Sequence, residues 1–388
     1  MLTKGENERL TQIGPGTPGG ELLRRYWIPF ATLQDVSEEN PTSFVRLLGE
    51  DLVLFRDKSG QVGLIGDHCP HRGASLLYGR VEERGIACTY HGWLYDTSGN
   101  CLETPAEPAD SKLYLTVKHR AYAVQQLFGL YWTYMGPLPV PPLRKLDIME
   151  YPINRVRIEN EFSANWVQVM ENNLDGSHIF VLHQDTYSVG RDANGERPQA
   201  TSTTRGLIND LVSLDYEEVP AGIRRTMGLG DGYVEEDLLI FPNMLRRMNM
   251  LSLKVPVDDF HTKKFVVTVD MGLPGQLGSE GGAGEKKSDA DIYFRVPTNA
   301  KTPIDAPYPQ ASYSMRQLPH QDMMAIESQG PRSPREAWRL GMRDDGIAFF
   351  DEMILREIDK VERGLAPIAV SEAFIDTNLE AVHAVGLR

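Results

Sequence analysis

The sequence predicts an α+β chain built as two domains, a small all-β module followed by a larger mixed one. Three observations predict it. At 388 residues the chain is too long for one ordinary core. Short alternating segments fill the stretch from about Ser43 to Tyr134, and the region from about Tyr151 mixes strands with at least two helices. Between the two lies GPLPVPPL (Gly136–Leu143), a stiff, extended connector. The expected boundaries are 1–24 for an N-terminal helical segment that packs on the larger domain, 25–138 for the β module and 139–388 for the larger domain.

Each element has a local reason. GPGTPGGELLRRYWIPF offers turn residues and then a short helix. SFVRLLG, DLVLFRD, QVGLIG and AYAVQQLFGLYWTYM are bounded by Gly, Asp, Asn or Ser, as antiparallel strands and hairpins are. RDKSGQ and DTSGN are the plainest turns. HTKKFVVTVDMGL reads as a strand of the second domain. Gly272–Asp291 is glycine-rich and polar, a surface loop with a lid as its functional alternative. DDGIAFFDEMILREIDKVERG places Ile347, Phe350, Ile354, Ile358 and Val361 on one helical face, with Glu352–Arg356 and Asp359–Arg363 as charge pairs and Gly364 as a stop.

Composition narrows the function classes. Hydrophobic residues at 41% and charged residues at 24% describe a globular protein. The formal net charge of −14 argues against nucleic acid and acidic membranes as partners. The first residues lack an apolar signal core, no run approaches a membrane span, and three cysteines do not make a disulfide framework. A cytoplasmic location is expected.

The chemistry begins at CPHRGASLLYGRVEERGIACTYHGWLYD (Cys69–Asp96). Each of two turn-rich loops carries one Cys and one His: Cys69/His71 as C-x-H, Cys88/His91 as C-x-x-H. Zinc ribbons pair like with like, whereas a two-iron centre with two thiolates on one iron and two imidazoles on the other needs one of each from each loop. A structural zinc site is the alternative, and Cys101 reads as an ordinary buried thiol.

Here the chain resembles the Rieske domain of the Rieske non-haem iron aromatic-ring oxygenases, in C-P-H-R-G-A and C-x-Y-H-G-W-x-Y-D. LTQIGPGTPGGELLRRYWIPF looks most like the phthalate-dioxygenase branch. That resemblance implies a [2Fe–2S] cluster on Cys69, His71, Cys88 and His91. It also implies an N-terminal Rieske β-sandwich and a catalytic domain whose antiparallel sheet wraps a long helix, a helix-grip type.

A second constellation follows in NWVQVMENNLDGSHIFVLH (Asn165–His183). On a helix, Glu171, Asp175 and His178 share a face. His183 lies about 140° around from His178, so a distortion near Gly176-Ser177 is needed for both to reach one ion. Two histidines and a carboxylate form the facial triad of non-haem Fe(II) oxygenases. Asp322, Asp344, Asp345 and Glu327 are candidates for the carboxylate.

By resemblance to the oxygenase motif, His178 and His183 bind one mononuclear Fe(II). HQDMMAIESQG resembles the segment carrying the iron aspartate, which points to Asp322. Asp175 resembles the carboxylate that hydrogen-bonds His178 and reaches a Rieske histidine of the adjacent subunit, with His91 the expected partner. Asn172 matches the asparagine beside the iron.

The resemblance implies a terminal oxygenase acting on a small aromatic substrate with O₂, in a homotrimer or a dimer of trimers. Its electrons would come from a reductase, with or without a ferredoxin. NAD(P)H and flavin would bind only that partner, since no dinucleotide-binding G-x-G-x-x-G follows a strand here. Ring dihydroxylation, monohydroxylation and O- or N-dealkylation all stay open. So does an electron-transfer protein without oxygenase chemistry. Arg246 and Arg247 are candidates for a substrate carboxylate, with a surface or ion-pair role as the alternative.

Overall fold

The computed structural model describes residues 2–159, 161–183, 211–230, 232, 234–272, 292–296, 301–302, 312–313, 318–370 and 372–377. The glycine-rich stretch read as a loop or lid lies, from 273 to 291, outside the described residues. The chain divides into two compact units. The smaller comprises Gly14–Gly16 and Leu23–Leu143; the larger comprises Met1–Ile13, Thr17–Leu22 and Arg144–Arg388.

In the smaller unit, six antiparallel strands line up as Trp27–Thr32, Leu130–Tyr134, Ala121–Leu127, Val62–Gly66, Glu50–Arg56 and Thr42–Leu47. Leu52 to Phe55 are all buried, as expected of a central strand covered on both faces. A four-stranded sheet follows in simple order: Arg80–Glu82, Gly85–Ala87, Leu94–Tyr95 and Cys101–Glu103. Val53, Phe55 and Ile65 from the first sheet pack with Leu76, Ile86, Trp93, Tyr95 and all three cysteines. The two Cys–His loops therefore spring from a solid core. Glu50, itself buried, is neutralised by Arg24 and Arg120, each at 2.7 Å, and accepts the Tyr122 hydroxyl at 2.8 Å.

The larger unit is built on an eight-stranded sheet in the order Leu211–Val219, Gly222–Leu229, Val234–Ile240, Met244–Arg247, Met250–Asp258, His261–Val269, Ile153–Ile158 and Tyr293–Arg295. Seven strands run antiparallel; Tyr293–Arg295 joins parallel to Ile153–Ile158, which makes the sheet mixed. Helix Trp166–Leu174 crosses one face. Thr262 donates to Ala164 O at 2.8 Å, Lys254 to Asn173 Oδ1 at 3.0 Å and Arg225 to Asn173 O at 2.8 Å. The crossing helix has only 9 residues; the long helix, with 18, is Asp345–Glu362 near the C-terminus.

Asn165 caps the crossing helix. Its backbone is extended, its Oδ1 accepts Val167 N–H, and its Nδ2 donates to Thr11 O and Asp259 O. The long helix buries Ile347, Phe350, Ile354, Ile358 and Val361, the expected stripe, and Gly364 follows it at φ +73°. Its charge pairs differ from those expected. Arg356 pairs with Glu218 on the sheet at 2.7 Å, and Asp359 with Arg9 on helix Lys4–Thr11 at 2.7 Å. Tertiary partners have displaced the i,i+4 ones. No helix among the described residues is long and apolar enough to cross a membrane.

The crossing helix is held from behind by a buried ion pair. Arg335 grips Glu171 with two hydrogen bonds of 2.6 and 2.7 Å and donates to Asn7 Oδ1 at 3.1 Å. Both charged side chains are almost wholly buried. Burial and the charge of Glu171 push the nearby Asp351 carboxyl well above its usual range. Replacing Arg335 by Met would strand the Glu171 charge. We expect Arg335→Met to lower the stability of the larger unit by about 3–5 kcal/mol in urea unfolding, and an unchanged midpoint would contradict the clamp.

Candidate metal centres

The two Cys–His loops of the smaller unit are the same turn used twice. Cys69 N–H donates to Ala74 O (2.9 Å) and Gly73 N–H to Cys69 O (2.8 Å); Cys88 N–H donates to Trp93 O (2.9 Å) and Gly92 N–H to Cys88 O (2.8 Å). Gly73 and Gly92 sit at φ +75° and +74°, where a side chain is strained. At Gly92 a Cβ would also lie 2.7 Å from Pro105 Cγ. The shared turn explains why C-x-H and C-x-x-H tolerate different histidine positions: the glycine stands four residues after the cysteine in both.

The turns bring all four residues together. Cys69 and Cys88 are buried as free thiols, and both histidines lie closer to the surface. The His71 and His91 rings meet edge to face with centroids 4.5 Å apart, and Trp93 stacks flat on His71 at 4.5 Å and 7°. Burial, with the neighbouring Cys88 adding to it, raises the Cys69 thiol pKa although Tyr95 OH lies 3.2 Å from its sulfur. Buried thiols on one side and imidazoles on the other match the donor set of a [2Fe–2S] centre. Among the described residues, only His178, His183 and Asp322 bring three ligand atoms within 4.8 Å of one another.

In the larger unit, helix Trp166–Leu174 stops with Asp175 in extended conformation, and a short helix, His178–Val181, restarts the chain. Glu171, Asp175 and His178 therefore do not share one helical face. Glu171 turns back to Arg335, and Asp175 caps the new turn. Asp175 Oδ1 accepts Ser177 N–H (2.8 Å), Ser177 Oγ–H (2.7 Å) and His178 N–H (3.1 Å). Gly176 passes so close to the sheet that a Cβ would lie 2.8 Å from Leu214 and 2.9 Å from Met227.

The break lets both imidazoles face Asp322 on helix Leu318–Glu327. Asp322 Oδ1 lies 3.5 Å from His178 Nε2 and 3.0 Å from His183 Nε2. Gln321 Oε1 stands 2.6 Å from His183 Nδ1 and fixes that ring so that Nε2 faces Asp322. Asn172 Nδ2 stands 3.5 Å from Asp322 Oδ1, at the limit of a hydrogen bond. Asp175 Oδ2 is 3.6 Å from His178 Nδ1, a charge contact longer than a hydrogen bond.

The other candidate carboxylates are elsewhere. Glu327 accepts Ser163 N–H and the Tyr313 hydroxyl, and Asp344 and Asp345 begin the last helix. Arg247 is engaged by Asp237 (2.7 Å) on the sheet face toward the crossing helix, and its neighbour Arg246 is buried on the opposite face. Gln321 and the sheet residues behind the break escaped sequence reading, because nothing local marks a side chain whose partner lies 42 to 138 residues away.

The electrostatics fit a cation. Burial opposes a charge on His178, but Asp175 and Asp322 outweigh it and lift its pKa to about 9. Burial likewise opposes the charge on Asp175 and Asp322, and the facing histidines nevertheless hold both well below the usual carboxylate range. A divalent ion must displace the His178 proton. The metal-free protein should therefore bind Co(II) about tenfold more tightly for each pH unit from about 7 to about 9, and evenly above that. Calorimetric titration in buffers of different ionisation enthalpy measures both affinity and released proton; a pH-independent affinity would contradict the assignment.

Comparison with known proteins places the chain in a family. A model of the Rieske [2Fe-2S] domain matches residues 26–125. The chain is 32% identical over 385 residues to the 5,5'-dehydrodivanillate O-demethylase oxygenase subunit of Sphingobium sp. strain SYK-6, covering 95% of this chain and 84% of that one. It is 31% identical over 421 residues to the phthalate 4,5-dioxygenase oxygenase subunit of Pseudomonas putida, covering 99% and 92%. Among solved structures, Pseudomonas putida CBB5 NdmA shares the fold with a TM-score of 0.58 at 19% identity, over 90% of this chain and 94% of that one. The chain belongs to the Rieske aromatic-ring-hydroxylating oxygenases, as an alpha, or terminal oxygenase, subunit.

Proposed function

We propose that this oxygenase hydroxylates a small aromatic substrate with O₂, drawing electrons from a separate NAD(P)H-dependent reductase. One observation carries the reading: His178, His183 and Asp322 converge in a chain that also holds the paired Cys–His turns. Cys69, His71, Cys88 and His91 would hold the [2Fe–2S] cluster, and His178, His183 and Asp322 the mononuclear iron. When bound, these groups supply single electrons and a site for O₂ activation.

The chain's own residues prepare that site. Gln321 orients His183, and Asp175 faces the remaining nitrogen of His178, so each imidazole presents Nε2 inward. Asn172 sits beside Asp322 and holds a neutral polar group next to the carboxylate. Three protein ligands on one side leave the opposite side for O₂ and substrate.

A second reading, O- or N-dealkylation by monooxygenation, is favoured by the O-demethylase relative, which matches this chain over nearly its whole length. Turnover under ¹⁸O₂ with aromatic acids, methyl ethers and N-alkyl compounds, supplied with a compatible reductase, separates the two. Two labelled atoms in a ring diol indicate a dioxygenase; one labelled atom, or release of an alkyl group as aldehyde, indicates the second reading. His178→Ala should keep the visible Rieske spectrum and lose all oxidation. Survival of oxidation in that variant would sink both readings.

A further inference from the structure

The crossing helix ends immediately before the metal residues, and the last carbonyls of any helix lack amide partners further along. Here the sheet supplies them. Arg225 Nη1 donates to Asn173 O at 2.8 Å, and the Tyr216 hydroxyl donates to Leu174 O at 2.6 Å. Tyr216 and Arg225 are direct cross-strand partners, and Arg225 stands opposite Asp237 on the next strand. Asp237 is buried and binds both Arg225 and Arg247, so the guanidinium is fixed from behind. The Tyr216 ring occupies space that only a glycine at 346 leaves open. A Cβ on Gly346 would lie 2.2 Å from the ring's Cε1.

We propose that Tyr216 and Arg225 are positioning residues of the His178–His183–Asp322 centre, pinning the two carbonyls that fix where the helix breaks and from where Asp175 and His178 emerge. The inference rests on reading those three residues as metal ligands. Leu174 O belongs to the peptide that leads into Asp175, and Asp175 Oδ1 in turn holds the Ser177 and His178 amides. A loosened carbonyl is therefore passed through one rigid turn to the His178 ring. Burial, with the charge of Asp175 adding to it, pushes the Tyr216 hydroxyl up to about 12, so it stays a donor across the working pH range.

The test uses the full chain, with its Rieske cluster, freed of mononuclear metal and titrated with Co(II) against a competing chelator. Tyr216→Phe removes one hydroxyl and nothing else. It should weaken Co(II) binding about tenfold and alter the Co(II) d–d spectrum, with the Rieske absorption unchanged and the melting temperature lowered by a few degrees at most. Gly346→Ala, which must push the ring aside, should weaken Co(II) binding to a similar degree. Added to Tyr216→Phe it should cost little more, because both break the same bond. Equal Co(II) affinity and spectrum in wild type and Tyr216→Phe overturns the proposal and leaves the ligand assignment standing. Failure of the wild type to bind one Co(II) overturns both. Should Tyr216→Phe misfold, Gly346→Ala alone decides: unchanged Co(II) affinity there overturns the proposal.

Discussion

Two histidines five residues apart cannot reach one ion from an unbroken helix, because the chain turns them about 140° away from each other. The larger unit is organised around relieving that constraint. The helix stops at Leu174, Asp175 turns extended, and the chain restarts at His178 with its amides on Asp175 Oδ1. Gly176 lets the break lie against Leu214 and Met227. Behind it, Arg335 holds Glu171, and in front Asp322 arrives on a helix that runs antiparallel to the first. That second helix is registered along its length, since Glu327 accepts Ser163 N–H and Gly330 O accepts Gln168 Nε2–H.

The smaller unit solves its problem in the opposite way. It needs rigidity rather than a break, and obtains it by repeating one glycine-closed turn at Cys69–Ala74 and Cys88–Trp93. Burying the cysteines in the core while leaving the imidazoles nearer the surface separates the two donor types in space. A soft, buried thiolate pair and an outward imidazole pair are what distinguish such a cluster from an all-cysteine one, and it is the exchange of two thiolates for imidazoles that raises the potential of such clusters.

Local chemistry made much of this legible. The Cys–His spacing, with Gly73 and Gly92 behind it, marks the cluster turns because their geometry is closed within a few residues. The stripe from Ile347 to Val361 marks the last helix for the same reason. His178 and His183 were readable as a pair, and the need for a distortion followed from their spacing, although its site falls at Asp175, one residue before the glycine. What stayed hidden depends on contacts distant in sequence. Arg356 turns to Glu218 instead of Glu352, and Glu171 turns to Arg335 instead of sharing a face with Asp175. Among four candidate carboxylates the resemblance pointed to Asp322; in the fold its Oδ1 faces both imidazoles, while Glu327 five residues on turns to Ser163 N–H.

The most direct measurement is Mössbauer spectroscopy of the protein reconstituted with ⁵⁷Fe and held anaerobically with the cluster oxidised. Two centres of the kinds described require cluster iron and high-spin ferrous iron in an area ratio of about two to one. His178→Ala should then lose the high-spin ferrous doublet alone. A wild-type spectrum with cluster iron only, after full loading with Fe(II), would contradict the assignment of His178, His183 and Asp322.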